Sequence, residues 1–333
     1  MRPDTTLRTV GSIMSACAVL VASVLPAVAG SFGFPVECTL GKTCYIQNYF
    51  DHDPSENTRD FRCHQLTYDG HDGTDIRVMN LKEMAAGTNV VAAADGVVRA
   101  VRDGMDDVMF AEDRAQSIKG RECGNGVVID HTQGWQTQYC HMKKGTVVVN
   151  SGQQVSAGQV LGQIGLSGLT QFPHLHFEIR RDKTSLDPFA PQGVSACGAD
   201  APDTLWKSEI PYIDSAIMQS GFDHQIPTFE AVKAGMPEIV EKPANTPALV
   251  VWMYAFGKRP NDKVEISISG PNGFEHTRSW DFDKYQAEYF LASGRRMPDG
   301  GFLVGTYDGR VSLIRDGQVV QTQVRQLRIV PAD

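Results

Sequence analysis

The chain holds nine histidines, and four of them fall with one aspartate into three short motifs. The first is His71-Asp72-Gly73-Thr74-Asp75-Ile76. Gly73 followed by β-branched residues reads as a turn entering a strand, with an imidazole and a carboxylate brought together at the strand's start. The second is Pro173-His174-Leu175-His176-Phe177-Glu178-Ile179. On a strand, alternate residues share a face, so His174 and His176 stand side by side while Leu175, Phe177 and Ile179 face the core. The third, Tyr139-Cys140-His141-Met142, adds an imidazole at the end of another strand-like run. Imidazole and carboxylate are both zinc ligands, and imidazole is also the commonest proton-transfer group near neutral pH. Taken singly, the first motif is weak and mostly accidental, the second is equally well read as two surface histidines, and the third is more often structural. Together they supply three ligands for a hydrolytic metal and two further imidazoles for proton transfer and oxyanion stabilisation.

Such a constellation needs rigid strands beneath it. Short β-branched or alternating runs at 89–94, 96–101, 126–130, 136–140, 145–149 and 175–179, punctuated by Gly, Asn and Asp, predict an all-β fold rather than βαβ units. Thr132-Gln133-Gly134 reads as a hairpin loop between two of them. The polar stretch 102–121 predicts a long, partly helical loop that walls a groove. A Pro/Gly-rich composition shift at 188–204 marks a domain edge. Residues 211–241 read as irregular. Beyond them, runs at 248–256, 264–269, 287–291, 302–307, 309–315 and 323–330 predict a β-sandwich, with turns at Pro271-Asn272-Gly273 and Arg315-Asp316-Gly317.

The order His71-x-x-x-Asp75, Tyr139-x-His141, His174-x-His176 resembles the lysostaphin/LytM-type zinc endopeptidases. The resemblance covers roughly residues 65–190 and includes the glycines Gly152, Gly158, Gly162 and Gly165 between the motifs. It implies a small antiparallel β-sheet peptidase domain with a groove over one zinc ion. It also implies His71, Asp75 and His176 as metal ligands and His174 and His141 as the catalytic pair; which of the two is the base stays open at this point, with His174 the favoured base and His141 the favoured oxyanion stabiliser. The implied activity is hydrolysis of peptide cross-links in bacterial peptidoglycan. The alternative is a non-catalytic regulator that binds and activates another wall hydrolase. Asp72, Thr74 and Met142 fill positions that the family varies. Glu178 alternates onto the histidine face and reads as a surface carboxylate or a ligand-orienting one; Asp51-His52-Asp53 reads as a solvated turn.

The expected organisation is a signal peptide at 1–29, a zinc peptidase domain at 30–195, a linker or irregular segment at 196–245 and a β-sandwich at 246–333. Arg2 and Arg8, an apolar run from 13 to 25 and Ala27-Val28-Ala29 form the signal pattern. Its removal, with Arg2, Arg8 and Asp4, takes the formal charge from −8 to −9. An acidic chain gains no general attraction to nucleic acid, and no later segment is long and apolar enough to span a bilayer. The expected location is the periplasm, with secretion second. Six of the seven cysteines follow the signal segment, an even number suited to disulfides. Cys38 and Cys44 flank a glycine turn, and Cys123 and Cys140 flank a hairpin. The C-terminal domain carries no catalytic cluster, and docking a protein partner is one candidate role for it.

Overall fold

The computed structural model describes residues 32–194, 197 and 204–332 together with Met1. Apart from Met1, the expected signal peptide lies outside the described residues, as does part of the composition shift at 188–204. No helix among the described residues is long and apolar enough to cross a membrane.

The N-terminal half is built from β1 (Cys44–Asn48), β2 (Thr74–Val78), β3 (Asn89–Val91), β4 (Gly96–Arg102), β5 (Asn125–Asp130), β6 (Trp135–Met142), β7 (Gln154–Val155), β8 (Val160–Gln163), β9 (His174–Arg181) and β10 (Thr184–Leu186). The main sheet runs β1-β2-β9-β6-β5-β4-β7, with β10 hairpinned onto β9. β3 and β8 pair separately. Leu175, Phe177 and Ile179 are fully buried, so the period-two reading of β9 holds. The β5–β6 hairpin turns at Thr132–Gly134 as expected, with Gln133 at a φ of 60°. The run at 145–149 is not a strand. It passes beside β8 with a single backbone–backbone bond, from the Val148 N–H to the Leu161 carbonyl at 3.0 Å. The 102–121 stretch is a loop with a short helix at Ala115–Ile118.

The C-terminal half contains β11 (Ala216–Asp223), β12 (Glu241–Pro243), β13 (Ala248–Lys258), β14 (Lys263–Gly270), β15 (Phe274–Asp281), β16 (Gln286–Arg296), β17 (Gly305–Arg315) and β18 (Gln318–Val330). Two sheets, β11-β13-β16 and β12-β18-β17-β14-β15, enclose a core of their own. Three expectations change here. The segment 196–245 is not all linker, because β11 pairs with β13 along Ala216–Asp223 and a helix forms at Phe229–Ala234. The runs 302–307 and 309–315 are one strand from Gly305. Gly309 sits inside it because a Cβ there would lie 2.5 Å from Val251 and 2.7 Å from Phe222. β15, an edge strand with mostly solvent-facing residues, has no run of its own in the apolar pattern.

The two halves share β13, whose residues are buried almost throughout. Leu249, Val251, Met253 and Ala255 point into the C-terminal core. Trp252, Tyr254 and Phe256 point the other way and join the core of the N-terminal half. Phe256 meets Tyr45 of β1 with ring centroids 5.4 Å apart. Burial of a large side chain is worth about 2 kcal/mol, so this strand fastens one half firmly to the other.

Three disulfides close loops: Cys38–Cys44, Cys123–Cys140 and Cys63–Cys197. The first two match the local pairings read from the sequence. The third joins residues 134 apart and ties the loop before β2 to the segment after β10.

Candidate metal centre

β2 and β9 lie side by side, with Asp75 opposite His176 and Arg77 opposite His174. Strand geometry therefore gathers four side chains on one face. His71 reaches the same place from the loop before β2. Gly73 lets that loop pass close by, since a Cβ there would lie 2.7 Å from the His176 ring. Asp51 organises the loop from below. Its carboxylate accepts from the backbone N–H groups of Asp53, Arg59 and Gly70, and its own N–H donates to the His71 carbonyl at 2.8 Å. His52 contacts Asp187 at 2.7 Å. Asp51 is thus a buried brace for His71 and not part of a solvated turn, whereas the Asp53 carboxylate does form an exposed turn, accepting from Ser55.

His71 Nε2, Asp75 Oδ1 and His176 Nδ1 form a triangle with sides of 3.1, 2.9 and 3.2 Å. Tetrahedral ligands at zinc bond lengths stand about 3.4 Å apart, so these atoms need to move only a few tenths of an ångström to share one ion. The orientation of each ligand is set from behind. The His71 Nδ1–H donates to the Tyr49 carbonyl at 2.6 Å, leaving Nε2 free to coordinate. Asn48 donates to the second oxygen of Asp75 at 2.9 Å. His176 turns its outer Nε2 toward Asp72, 3.4 Å away.

Electrostatics makes the same point. Three electron-rich atoms this close need a positive charge among them. Burial pushes the His176 pKa down, but the carboxylates of Asp72 and Asp75 outweigh it and raise it to about 10. Asp75 is fully buried, which opposes its charge, yet His71 and His174 hold its carboxyl well below the usual range. A proton thus occupies the place that suits a cation. Because the folded pKa of His176 exceeds the ordinary value of about 6.5, its contribution to stability is full below that pH and is lost as pH rises toward 10. Chelator-treated protein is therefore expected to lose melting temperature steadily between those limits. Metal-loaded protein, in which the ion displaces the proton, should not. Parallel thermal scans check this, and a flat profile for the chelated form would contradict proton sharing at the triangle.

His141 and His174 flank the triangle, with ring centroids 4.7 Å apart. His141 sits at the end of β6 with left-handed backbone, φ 60°, which breaks the alternation and buries four consecutive residues from Tyr139 to Met142. Its Nδ1–H donates to the Ser167 carbonyl at 2.8 Å. Burial first, and the neighbouring imidazoles of His174 and His176 next, hold its pKa well below the ordinary histidine value. His174 donates from Nδ1 to the Phe172 carbonyl at 2.9 Å, and its Nε2 faces Asp75 Oδ1 at 3.3 Å. A neutral ring carries one N–H, so with Nδ1 donating to Phe172 its Nε2 is bare, and only the imidazolium form donates at both ends.

All five expected residues are therefore brought together. Two outer partners were not assigned from the sequence. Asp72, read as a variable position, faces His176. Glu178, read chiefly as a surface carboxylate, is 1% exposed, bonds Arg180 and Ser185, and lies with Asp72 near the His176 ring. The only signal for Glu178 was its place on the histidine face of β9.

A cavity of about 640 Å³ opens beside the pair, lined by Asp75, His141 and His174. Phe110 from the long loop lines it, as the groove-wall expectation required. Lys233, Gln286 and Glu288 close it from the C-terminal half.

Residues 69–188 match the family described as Peptidase family M23, a span that includes all five site residues. The chain is 35% identical over 109 residues to "Peptidoglycan DD-endopeptidase ShyA" of Vibrio cholerae, covering 33% of this chain and 20% of that protein. It is 31% identical over 121 residues to "Cell division protein DipM" of Caulobacter vibrioides, covering 36% and 16%. The chain thus spans a fifth or less of the length of these two relatives. Among solved structures it resembles a zinc-containing peptidase from Vibrio cholerae at 26% identity and a TM-score of 0.33, over 52% of this chain and 41% of that one.

Proposed function

We propose, from the premise that residues 69–188 carry a peptidase family M23 domain of the LytM type, that this chain is an exported zinc-dependent endopeptidase cutting peptide cross-links of bacterial peptidoglycan. The observation that carries the reading is the His71–Asp75–His176 triangle with His141 and His174 beside it at the mouth of a cavity. Two imidazoles and a carboxylate suit zinc and leave a coordination position open. Zinc held there supplies Lewis acidity, polarising a carbonyl and making water nucleophilic at a pH of about 7.

The chain's own residues divide the remaining work. His141, kept neutral and already donating from Nδ1, presents a bare Nε2 that accepts a proton from the attacking water. His174, whose Nε2 is aimed at a carboxylate, is the group placed to stabilise the oxyanion, since its imidazolium form donates from Nδ1 to the Phe172 carbonyl and from Nε2 to the developing charge. This reverses the order favoured from the sequence, because His174 Nε2 faces the Asp75 carboxylate while His141 is held neutral by burial. Asn48, Asp72 and the Tyr49 carbonyl fix the ligand orientations.

The signal pattern at 1–29 supports export, and the three disulfides suit an oxidising compartment, the periplasm first. The "DD-endopeptidase" in the name of the Vibrio relative supports D-Ala–diaminopimelate bridges as the bond cut. A non-catalytic regulator has no need of a full ligand triangle with two poised imidazoles, so catalysis is the better reading. Digestion of purified sacculi by the zinc-loaded protein should convert cross-linked muropeptide dimers into monomers with a free amine at the former bridge. Mass analysis reads this directly. Persistence of the dimers at full zinc loading would overturn the proposal.

A further inference from the structure

Arg77 is the fourth corner of the square that Asp75, His174 and His176 begin, and it is 0% exposed. A guanidinium this deep must be fully paired. Within the N-terminal half its Nη1 donates to Gln47 and its Nε to the Val78 carbonyl at 3.2 Å. Those acceptors are neutral. The balancing charge comes from the other half of the molecule, where Nη1 donates to Glu288 of β16 and Nη2 to the Tyr254 hydroxyl of β13 at 2.9 Å. Arg77 then meets the site through an aromatic ring. Its guanidinium lies 5.0 Å from the centroid of Phe172, and the Phe172 ring stacks on His174 at 4.3 Å with 23° between the planes. The Phe172 carbonyl accepts from His174 Nδ1. Phe172 thus holds the imidazole by face and by edge, and Arg77 holds Phe172.

We infer that the C-terminal half is part of the hydrolytic site, and that Glu288, acting through Arg77 and Phe172, is a positioning residue for His174. This rests on the endopeptidase reading of that site. The two halves are fastened by β13 regardless of Glu288, because Trp252, Tyr254 and Phe256 pack into the N-terminal core. Removing the carboxylate therefore leaves Arg77 without its balancing charge, held only by Gln47, the Val78 and Met79 carbonyls and Tyr254, and does not undock the half.

The test uses Glu288→Ala, Glu288→Gln and Phe172→Leu in the full chain, with zinc bound. Loss of near-attack geometry from a displaced catalytic ring costs up to about 100-fold, and a partly released ring should lower kcat about tenfold in E288A, with KM within about threefold of wild type. E288Q keeps an acceptor for Arg77 and should recover most of that loss. F172L should lower kcat similarly, and the E288A/F172L double variant should be no worse than the poorer single variant, since both break one chain of contacts. An unaltered kcat in E288A and F172L overturns the inference. So does a raised KM at constant kcat, which would make Glu288 a substrate contact, or full additivity in the double variant. The second readout needs no turnover: the ring-nitrogen resonance of His174, sharp in the wild type, should broaden or split in both single variants. Should E288A fail to fold, F172L, which leaves the Arg77–Glu288 pair intact, decides. A wild type that leaves sacculi uncut sinks the proposed function, and the His174 resonance still decides the positioning claim.

Discussion

His176→Ala is expected to purify without stoichiometric zinc and to leave cross-linked muropeptides intact. The argument is one of donor count. His176 Nδ1 lies 2.9 Å from Asp75 Oδ1 and 3.2 Å from His71 Nε2, so it closes the triangle. Losing an outer partner of a metal ligand already costs about 10–100-fold in affinity. Losing one of three direct donors costs more, because only His71 and Asp75 would remain to hold the ion. Activity should fall by on the order of 10³-fold or more, since the loss compounds metal release with the absence of a polarised carbonyl. Folding is not the cause, because the ring is packed at the mouth of the site and Leu175 and Phe177, its neighbours on β9, stay in the core. His224→Ala, at a half-exposed site far from the triangle in sequence, is the matched control and should keep both metal and activity. Metal analysis beside muropeptide profiling checks the result. A variant with one zinc per chain and wild-type cleavage would remove His176 from the ligand set.

How much of this was legible in the sequence depends on how far apart the partners lie. His174 and His176 were readable because a strand's period is two, and Leu175, Phe177 and Ile179 reported the buried face. His71 and Asp75 were readable because Gly73 and the β-branched residues after it mark a turn entering a strand. The partners that orient them were not. Asp72 becomes an outer partner only because β9 brings His176 beside it from more than a hundred residues away, and no local pattern encodes that. Glu178 shares the histidine face, but its burial comes from Arg180 and from Ser185 of the next strand. In the C-terminal half, β13 was legible as an unbroken apolar run. Its meaning, burial on both faces between two cores, was not. β11 was missed because prolines and polar residues flank it, and it is held by pairing with β13 rather than by an amphipathic pattern of its own. The Glu288 wall of the cavity follows from that docking and could only be seen once both halves were placed.

His141→Ala and His174→Ala should separate metal binding from turnover. Neither ring belongs to the triangle, so both variants are expected to retain one zinc per chain while kcat falls by about 10²–10⁴-fold, the usual cost of a lost general acid–base group. The pH profile tells the two apart. kcat/KM reports the base of the free enzyme, and a base works only when deprotonated, so activity rises with pH through its pKa. Burial, with His174 and His176 alongside, depresses the His141 pKa well below its usual value. A divalent ion nearby pushes it the same way. The acid limb of kcat/KM should therefore lie below pH of about 6.5. Residual activity of His174→Ala should keep that limb, because its base is untouched and only oxyanion stabilisation is lost. His141→Ala should lose it. An acid limb above the ordinary histidine value in the wild type, or one that survives in His141→Ala, would return the base to His174. In that case the bond from His141 Nδ1 to the Ser167 carbonyl serves only to hold the ring.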